Sequence, residues 1–405
     1  MIINPLFITS SFLRKKSPVS IVERAFVKGL SALGTYYIKI ACSDYKRIKW
    51  DYYEQLIIVP ENKILRCFCA ILERLGFNDI INRPDPIWFT WGMKAIRQLI
   101  KTDNFSRYDY IHSFSLSCSN HLVALRLKEK YGKPFVAHFL DPWYGNPYRP
   151  IQSKRLRDKD LEMERDIAIN ADLIIHDNES IADLWKARYG DLVKDKIYVL
   201  PLVFSIPDET YNIPINKDKL IISHIGNFNN SRRITEFADA LNYLFENNPS
   251  TKSKIKVYLV GDIPNRQIEY IRKLGLSSIV HFEGSVSEEE CTKYYLMSDI
   301  FVAIDSIDEL PLYFPSKLMK YFYYQKPIIG ITPSGSVMEI ELKRSRNFTY
   351  HHNEIELIAR QLSRLIYNYQ EESDKIDKGY WKKFSPDSVA VEYTQMISSL
   401  LSNKK

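Results

Sequence analysis

Two arginines, Arg232 and Arg233, close a polar loop that begins at Gly226-Asn227, directly after the apolar run Leu220–Ile225. A helix-like segment, Ile234–Glu246, follows. A helix start already carries partial positive charge, so cations are unfavourable there unless an anion lies between them. Gly226 lets the backbone approach such a group closely, and a guanidinium suits the spread oxygens of a phosphate. The alternative is a basic surface turn. A second constellation is Pro315, Ser316 and Lys317, which open a helix-like segment between the runs Ile300–Ile304 and Pro327–Ile331. Proline fits a first helical turn, and free N–H groups beside a hydroxyl and an ammonium make an anion seat. The same residues equally suit an ordinary strand–helix–strand unit. A third group is His112, Ser113, His138, Asp141 and Trp143. A carboxylate between Phe139 and Trp143 would have a raised pKa and could steer a hydroxyl as a general base. In an Asp-Pro turn it could instead only cap local N–H groups.

These side chains need strands to hold them. Short β-branched runs alternate with helical periodicity along the whole chain: Ile2–Thr9, a helix over 19–34, Ile38–Ala41, Tyr110–Phe114, a helix over 119–131, and Phe135–Leu140. A helix from 156, the strand Leu173–Ile175, a further helix and Ile197–Leu200 continue the pattern. After a proline-rich stretch it resumes with Leu220–Ile225, Lys256–Gly261, Val280–Gly284 and the helix Glu288–Met297. Runs of this length without alternation predict parallel strands buried on both faces, with ligand groups at their carboxyl ends. His112 and Ser113 leave one such strand, and Asp141 leaves another.

With 405 residues, 45% hydrophobic and 26% charged, the composition is that of a globular protein of two or three domains. A net charge of +7 favours anionic partners weakly, and no Lys/Arg block is long enough for a nucleic-acid tract. Five scattered cysteines lack metal or disulfide spacing and read as reduced, buried thiols of a cytosolic protein. The start reads as a first strand rather than a signal peptide, and no apolar run has transmembrane length. Residues 62–103, with Arg66, Arg74, Arg83, Trp88 and Trp91, suit either a membrane-facing surface or a packed helix pair. Asp158-Lys-Asp160 has the spacing of a metal motif but lies in a charged helical run and reads as a solvated face. There is no nucleotide-binding Gly-x-Gly-x-x-Gly, zinc or Walker motif.

Phe314-Pro315-Ser316-Lys317-Leu318, with Tyr321, Lys326 and Pro327, resembles the donor-binding segment F-x-P-S-K-L-x-E-Y-x-x-x-x-K-P of bacterial GT-B glycosyltransferases of the family-4 type. The Phe stands one residue closer to the Pro. The Glu that in the family holds the donor ribose falls on Lys320, which inverts the charge and removes an acceptor. The resemblance implies that Arg232 clamps the donor diphosphate, with Arg233 as the fallback, and that Asp262, Gly284 and Val286 line the base pocket at two strand ends. It places the Asp-x-Trp of Asp141 and Trp143, with His138, on the acceptor side. It makes the basic loop after the first strand a contact for a lipid-linked diphosphate or anionic headgroups, or else a solvated loop.

The fold so implied is α/β, GT-B: two Rossmann-like parallel-sheet domains facing a cleft, over 1–203 and 219–380, joined by a linker at 204–218. The last segment, 381–405, is expected to return to the first domain. The implied function is metal-independent, retaining transfer of a hexose-type sugar from a nucleotide-diphosphate donor to a lipid-linked or saccharide acceptor. The setting is cell-surface polysaccharide or lipopolysaccharide biosynthesis. The expected place is cytoplasmic, peripheral on an anionic membrane surface, with no further cofactor. A degenerate non-catalytic partner and a GT-B-like sugar-nucleotide epimerase are the alternatives.

Overall fold

The computed structural model describes residues 2–402 apart from 15–16, 44–54, 78–84, 116, 147–152, 205–217, 230 and 308–311, and for Glu288 the backbone only. Most of the expected linker 204–218, two lysines of the first loop, and Arg83 lie outside these residues. The chain divides into two compact units, Met1–Ser205 with Lys383–Lys405, and Ile206–Lys382.

Each unit is built on one parallel sheet. The first contains β1 (Pro5–Ile8), β2 (Lys39–Ser43), β3 (Gln55–Val59), β4 (Tyr110–Ser115), β5 (Phe135–Phe139), β6 (Leu173–His176) and β7 (Ile197–Val199). Their order is β3-β2-β1-β4-β5-β6-β7. The second contains β8 (Leu220–Ile225), β9 (Ile255–Val260), β10 (Val280–Gly284), β11 (Ile300–Ile304), β12 (Ile328–Ile331) and β13 (Phe348–Tyr350), ordered β10-β9-β8-β11-β12-β13. In both, the chain starts mid-sheet, lays two strands to one side and then crosses to the other. A crevice therefore opens at the carboxyl ends of β1 and β4 in one sheet, and of β8 and β11 in the other. Helices cover both faces, which is why β4, β5, β11 and β12 are buried at every residue.

The last helix, Pro386–Ser402, belongs to the first unit, as the resemblance implied. It buries Val389, Ala390, Tyr393 and Ile397 in the same core as Phe7, Phe26 and Phe114. The contact is close: a Cβ on Gly29, in the helix Pro18–Ala32, would stand 2.4 Å from the Pro386 carbonyl oxygen. None of the five cysteines forms a disulfide, but the expectation of burial holds only for Cys42, Cys69 and Cys118; Cys67 is exposed and Cys291 half-buried.

Candidate functional site

The richest cluster of polar groups stands at the crevice of the second sheet. β8 ends in His224 and Ile225, and Gly226 turns the chain with φ of 147°. The loop then returns through Asn229, whose Oδ1 accepts from Arg232 N (2.7 Å), and the Ser231 carbonyl accepts from Ile307 N (3.1 Å). That bond ties the loop after β8 to the loop after β11. Arg232 thereby comes within 3.8 Å of the Asp305 carboxylate. Lys317 reaches the same strand end, where its Nζ lies 3.3 Å from His224 Nε2.

Local packing fixes Lys317. Its helix, Lys317–Tyr323, is pinned at Tyr321, whose ring stacks on Phe301 at 4.2 Å and whose hydroxyl accepts from Ile225 N (2.9 Å). His224 sets the direction of the ammonium. Its Nδ1–H donates to the Val302 carbonyl (2.9 Å), which leaves Nε2 free of a proton to accept from Lys317. Burial, with the cations Lys317 and Arg232 nearby, holds the imidazole neutral, far below the usual histidine range. Burial and Arg232 also push the Lys317 ammonium well below the ordinary lysine range, while Asp305 pulls it back. Two cations face one carboxylate, and the Arg232 Nε is buried without a partner. An anion would repair both deficits.

The expected helix start is corrected in one respect. Pro315 and Ser316 precede the helix rather than begin it: the Pro315 carbonyl accepts from Leu318 N (2.8 Å), and Ser316 makes no side-chain cap. The helix has only seven residues, so the side chains of Lys317 and Arg232 supply the positive charge. Arg233 turns away to pair with Glu236 at 2.8 Å. Lys320 points elsewhere too, with its Nζ 5.5 Å from the centre of the Tyr295 ring. His224 was not foreseen. A histidine inside an apolar strand reads as core until its neighbours across the sheet are known.

The ends of β8, β9 and β10 are laced together beside this cluster. Gly226 N donates to the Val260 carbonyl (2.8 Å), and Gly261 N to that of Gly284 (2.8 Å). Asp262 N donates to Asn227 Oδ1 (2.9 Å), and the Asp262 carboxylate accepts from Ser285 Oγ (2.7 Å). Asp262 and Gly284 are exposed and Val286 half-buried, and the bonds of Gly261 to Gly284 and of Ser285 to Asp262 bring the first two to one end of the sheet. Gly261 is the tightest point: a Cβ there would lie 2.5 Å from the Gly226 carbonyl oxygen, at φ of 128°. Gly261→Ala is therefore expected to cost about 1–3 kcal/mol, seen as a melting temperature lower by roughly 3–8 °C. A melting curve unchanged within a degree would refute the close approach.

In the first unit the expected acceptor-side residues separate. Asp141 leaves β5 half-buried, and burial pushes its carboxyl up to about 6. That agrees with the direction expected. Burial rather than Phe139 drives it, because Phe139 packs instead against His121, His176 and Trp185. His138 is buried, its Nδ1 has no partner, and burial lowers its pKa to about 3. It packs among Phe26, Phe114 and His112. His112, Ser113 and Trp143 are corrected from exposed ligand groups to interior ones. His112 Nδ1 bonds the Tyr393 hydroxyl (2.6 Å), which fastens the last helix to β4. Ser113 Oγ bonds His121 Nδ1 (2.6 Å). Trp143 is buried, and its Nε1–H donates to Asp160 (3.2 Å) while Tyr144 N donates to Glu164 (2.7 Å). Those bonds clamp the loop that carries Asp141. Asp160 is thus buried and bonded rather than solvated, and among the described residues no three His, Cys, Asp or Glu side chains could hold a metal.

The chain matches two family models, Glycosyltransferase Family 4 over residues 37–203 and Glycosyl transferases group 1 over residues 206–380. No curated protein matches it in sequence. Solved structures share its fold across nearly the whole chain. Sucrose-phosphate synthase from Thermosynechococcus elongatus is 14% identical, with 99% of this chain and 100% of that one covered and a TM-score of 0.64. HepE from Anabaena, in complex with UDP, is 13% identical, with 98% and 100% covered and a TM-score of 0.63. WaaG, a glycosyltransferase involved in lipopolysaccharide biosynthesis, is 14% identical, with 98% and 99% covered and a TM-score of 0.59. With one model over each sheet and this fold throughout, the chain belongs to the GT-B glycosyltransferases of the family-4 type.

Proposed function

We propose that this glycosyltransferase takes a hexose-type sugar from a nucleoside-diphosphate donor and passes it, with retention of anomeric configuration, to a lipid-linked or saccharide acceptor. The setting is the assembly of a cell-surface polysaccharide. The observation that carries the reading is that the Lys317 ammonium lies against the Gly226 turn and His224, close enough to Arg232 for the two charges to repel, with Asp305 as the acid paired with Arg232. A diphosphate has the charge, and Gly226 the missing side chain, to fit such a seat.

In the transfer the bond between the anomeric carbon and the diphosphate oxygen breaks, and the acceptor oxygen bonds to the same face of the sugar. The acceptor proton goes to the departing phosphate. Charge builds on the leaving diphosphate, and Lys317 and Arg232 are proposed to stabilise it without a metal ion. Asp141 is the proposed acid to orient the acceptor hydroxyl, with His138 behind it. Asp262, Gly284 and Val286 are proposed to bound the base.

Lys320 favours one rival reading, a non-catalytic partner that lacks the ribose-holding acid. A thermal-shift screen against UDP, GDP, dTDP, ADP and their common sugars separates the two. A ligand held only by the folded protein must raise the melting temperature. One nucleotide is expected to do so, with its sugar then transferred and the product's anomeric configuration matching the donor's by NMR. A flat response to every nucleotide would instead favour the non-catalytic reading.

A further inference from the structure

The seat holds a buried acid to which the transfer assigns no step. Asp305 follows β11, the strand between β8 and β12, and only 4% of it is exposed. Its carboxylate is held on both sides. On the β8 side Arg232 Nη2 stands 3.8 Å from Oδ1, which also accepts from Ser306 N (2.9 Å). On the β12 side the Thr332 hydroxyl donates to Oδ2 (3.4 Å), and Thr332 Oγ1 lies 2.6 Å from Ser336 Oγ. Ser336 is fixed in turn, because it caps the helix Val337–Arg344 by accepting from Glu339 N (2.9 Å). The backbone is tied as well: Asp305 N donates to the Ile331 carbonyl and Thr332 N to that of Tyr350, both at 2.9 Å. Swinging the carboxylate away from the seat would break these bonds.

An acid so placed works against any anion in the seat. Burial pushes Asp305 up, the Ser306 N–H, Arg232 and Lys317 pull it back, and an arriving phosphate opposes its charge again. The opposition grows with the charge of the arriving group, and the two nucleotides of the proposed transfer differ in charge. In a nucleoside-diphosphate sugar each phosphate is linked on both sides and carries about one negative charge. Once the sugar has left, the terminal phosphate has a second ionisation near about pH 6 and carries about two charges in neutral solution. Lys317 and Arg232 against Asp305 leave a small surplus of positive charge, which suits the first nucleotide better than the second.

We propose that Asp305 is a specificity-determining residue of the donor seat: its fixed charge weakens the hold on the product nucleoside diphosphate more than the hold on the sugar-bearing donor. The full extra charge is present only after the bond to the sugar has broken. The repulsion therefore falls chiefly on product release, a step that limits many enzymes. The inference rests on the donor reading above and adds to it a group that selects between substrate and product.

The test is calorimetric titration of the full chain, without acceptor, at about pH 7.5, where the terminal phosphate is doubly ionised. Three ligands are compared: the nucleoside diphosphate that the thermal-shift screen selects among UDP, GDP, dTDP and ADP, its sugar ester, and its β-fluoro analogue. Fluorine replaces one ionisable oxygen, so the analogue has nearly the product's size and the donor's charge. The wild type is expected to bind the analogue at least as tightly as the nucleoside diphosphate. Asp305→Asn keeps an oxygen for Ser306 N. It should bind the nucleoside diphosphate about tenfold tighter than the wild type does, and the other two ligands no more than about threefold tighter. The wild-type comparison reads charge alone and needs no variant to fold. Weaker binding of the analogue than of the nucleoside diphosphate by the wild type, or equal gains for all three ligands in Asp305→Asn, would overturn the proposal and leave the donor reading in place. Weaker binding of the nucleoside diphosphate by Asp305→Asn would overturn it too, and would make Asp305 a residue that orients Arg232. No binding of any of these nucleotides by either protein would overturn both readings.

Discussion

Lys317→Met is expected to lower kcat/KM for sugar transfer by about 10²–10³-fold while leaving the melting temperature within a few degrees of the wild type. The two halves of this result have one cause. Burial and the nearby Arg232 guanidinium make the Lys317 ammonium unfavourable in the empty protein. Methionine keeps most of the side-chain shape and removes the misplaced charge, so the fold should lose little beyond the hydrogen bond to His224. The chemistry should lose the charge that faces the leaving diphosphate. His224 extends the test. His224→Gln keeps an acceptor near the position of Nε2, whereas His224→Phe keeps only the contact with Phe228, whose ring lies 4.2 Å away. Transfer should survive better in the Gln variant. Equal loss in both would make His224 a packing residue with no hold on Lys317.

Acid should unfold the first unit steeply. His121, His138 and His176 are buried, and burial holds each at about 3; burial also holds His112 well below the usual histidine range. The unfolded chain binds protons at these residues near pH 6.5, and the folded one does not. Their neutral burial therefore costs nothing above about pH 6.5, and stability is lost as pH falls toward 3. By pH 4 His121, His138 and His176 each remove about 3 kcal/mol, against a typical total of roughly 5–15 kcal/mol. Among the described residues four acids oppose them: burial also raises Glu164 and Glu392, and the two with the larger shifts are Glu23 and Asp141. Glu23 is buried under Thr9 and Ser11 and raised to about 7, and Asp141 is raised to about 6, so both favour the folded state as pH falls through those values. Glu23 returns about 3 kcal/mol and the half-buried Asp141 less, so the histidines prevail. His176 is the residue to change. Its two ring nitrogens have no partner, and the rings of Phe139 and Trp185 lie 5.4 Å and 4.9 Å away. His176→Phe should raise the melting temperature progressively more below pH 6. A gap between variant and wild type that is the same at pH 7.5 and pH 4.5 would refute the neutral buried histidine.

Much of this architecture was legible in the sequence because parallel strands covered on both faces must be written as unbroken apolar runs. Val280–Gly284 and Ile300–Ile304 appear as strands at the very residues the runs predicted. Leu220–Ile225 does too, and Arg232 could be singled out from the conflict between its charge and its place before a helix. The edge strand Gln55–Val59 and most of 337–367 escaped notice. Edge elements are half-solvated, so their patterns are weaker and carry no chemistry to draw the eye. The acceptor side misled for a related reason. A polar residue at a strand end looks like a ligand group, but His112 and Ser113 spend their hydrogen bonds on Tyr393 and His121, partners 281 and 8 residues away in the chain. Sequence spacing does not reveal which polar groups satisfy each other across a core. The amphipathicity of residues 62–103 was visible in the sequence, but the exposure of Ile64, Phe68 and Ile71 on the helix Lys63–Arg74 was not.

The central claim is that Lys317 and Arg232 seat a diphosphate, and isothermal titration tests it most directly. The nucleoside diphosphate chosen by the thermal-shift screen is titrated against its own monophosphate, in the wild type, in Lys317→Met and in Arg232→Ala. The terminal phosphate is expected to strengthen binding by about 100-fold in the wild type, and either substitution should remove at least about tenfold of that gain. Equal affinity for monophosphate and diphosphate in the wild type, or a gain left intact by both substitutions, would contradict the seat and with it the proposed course of the reaction.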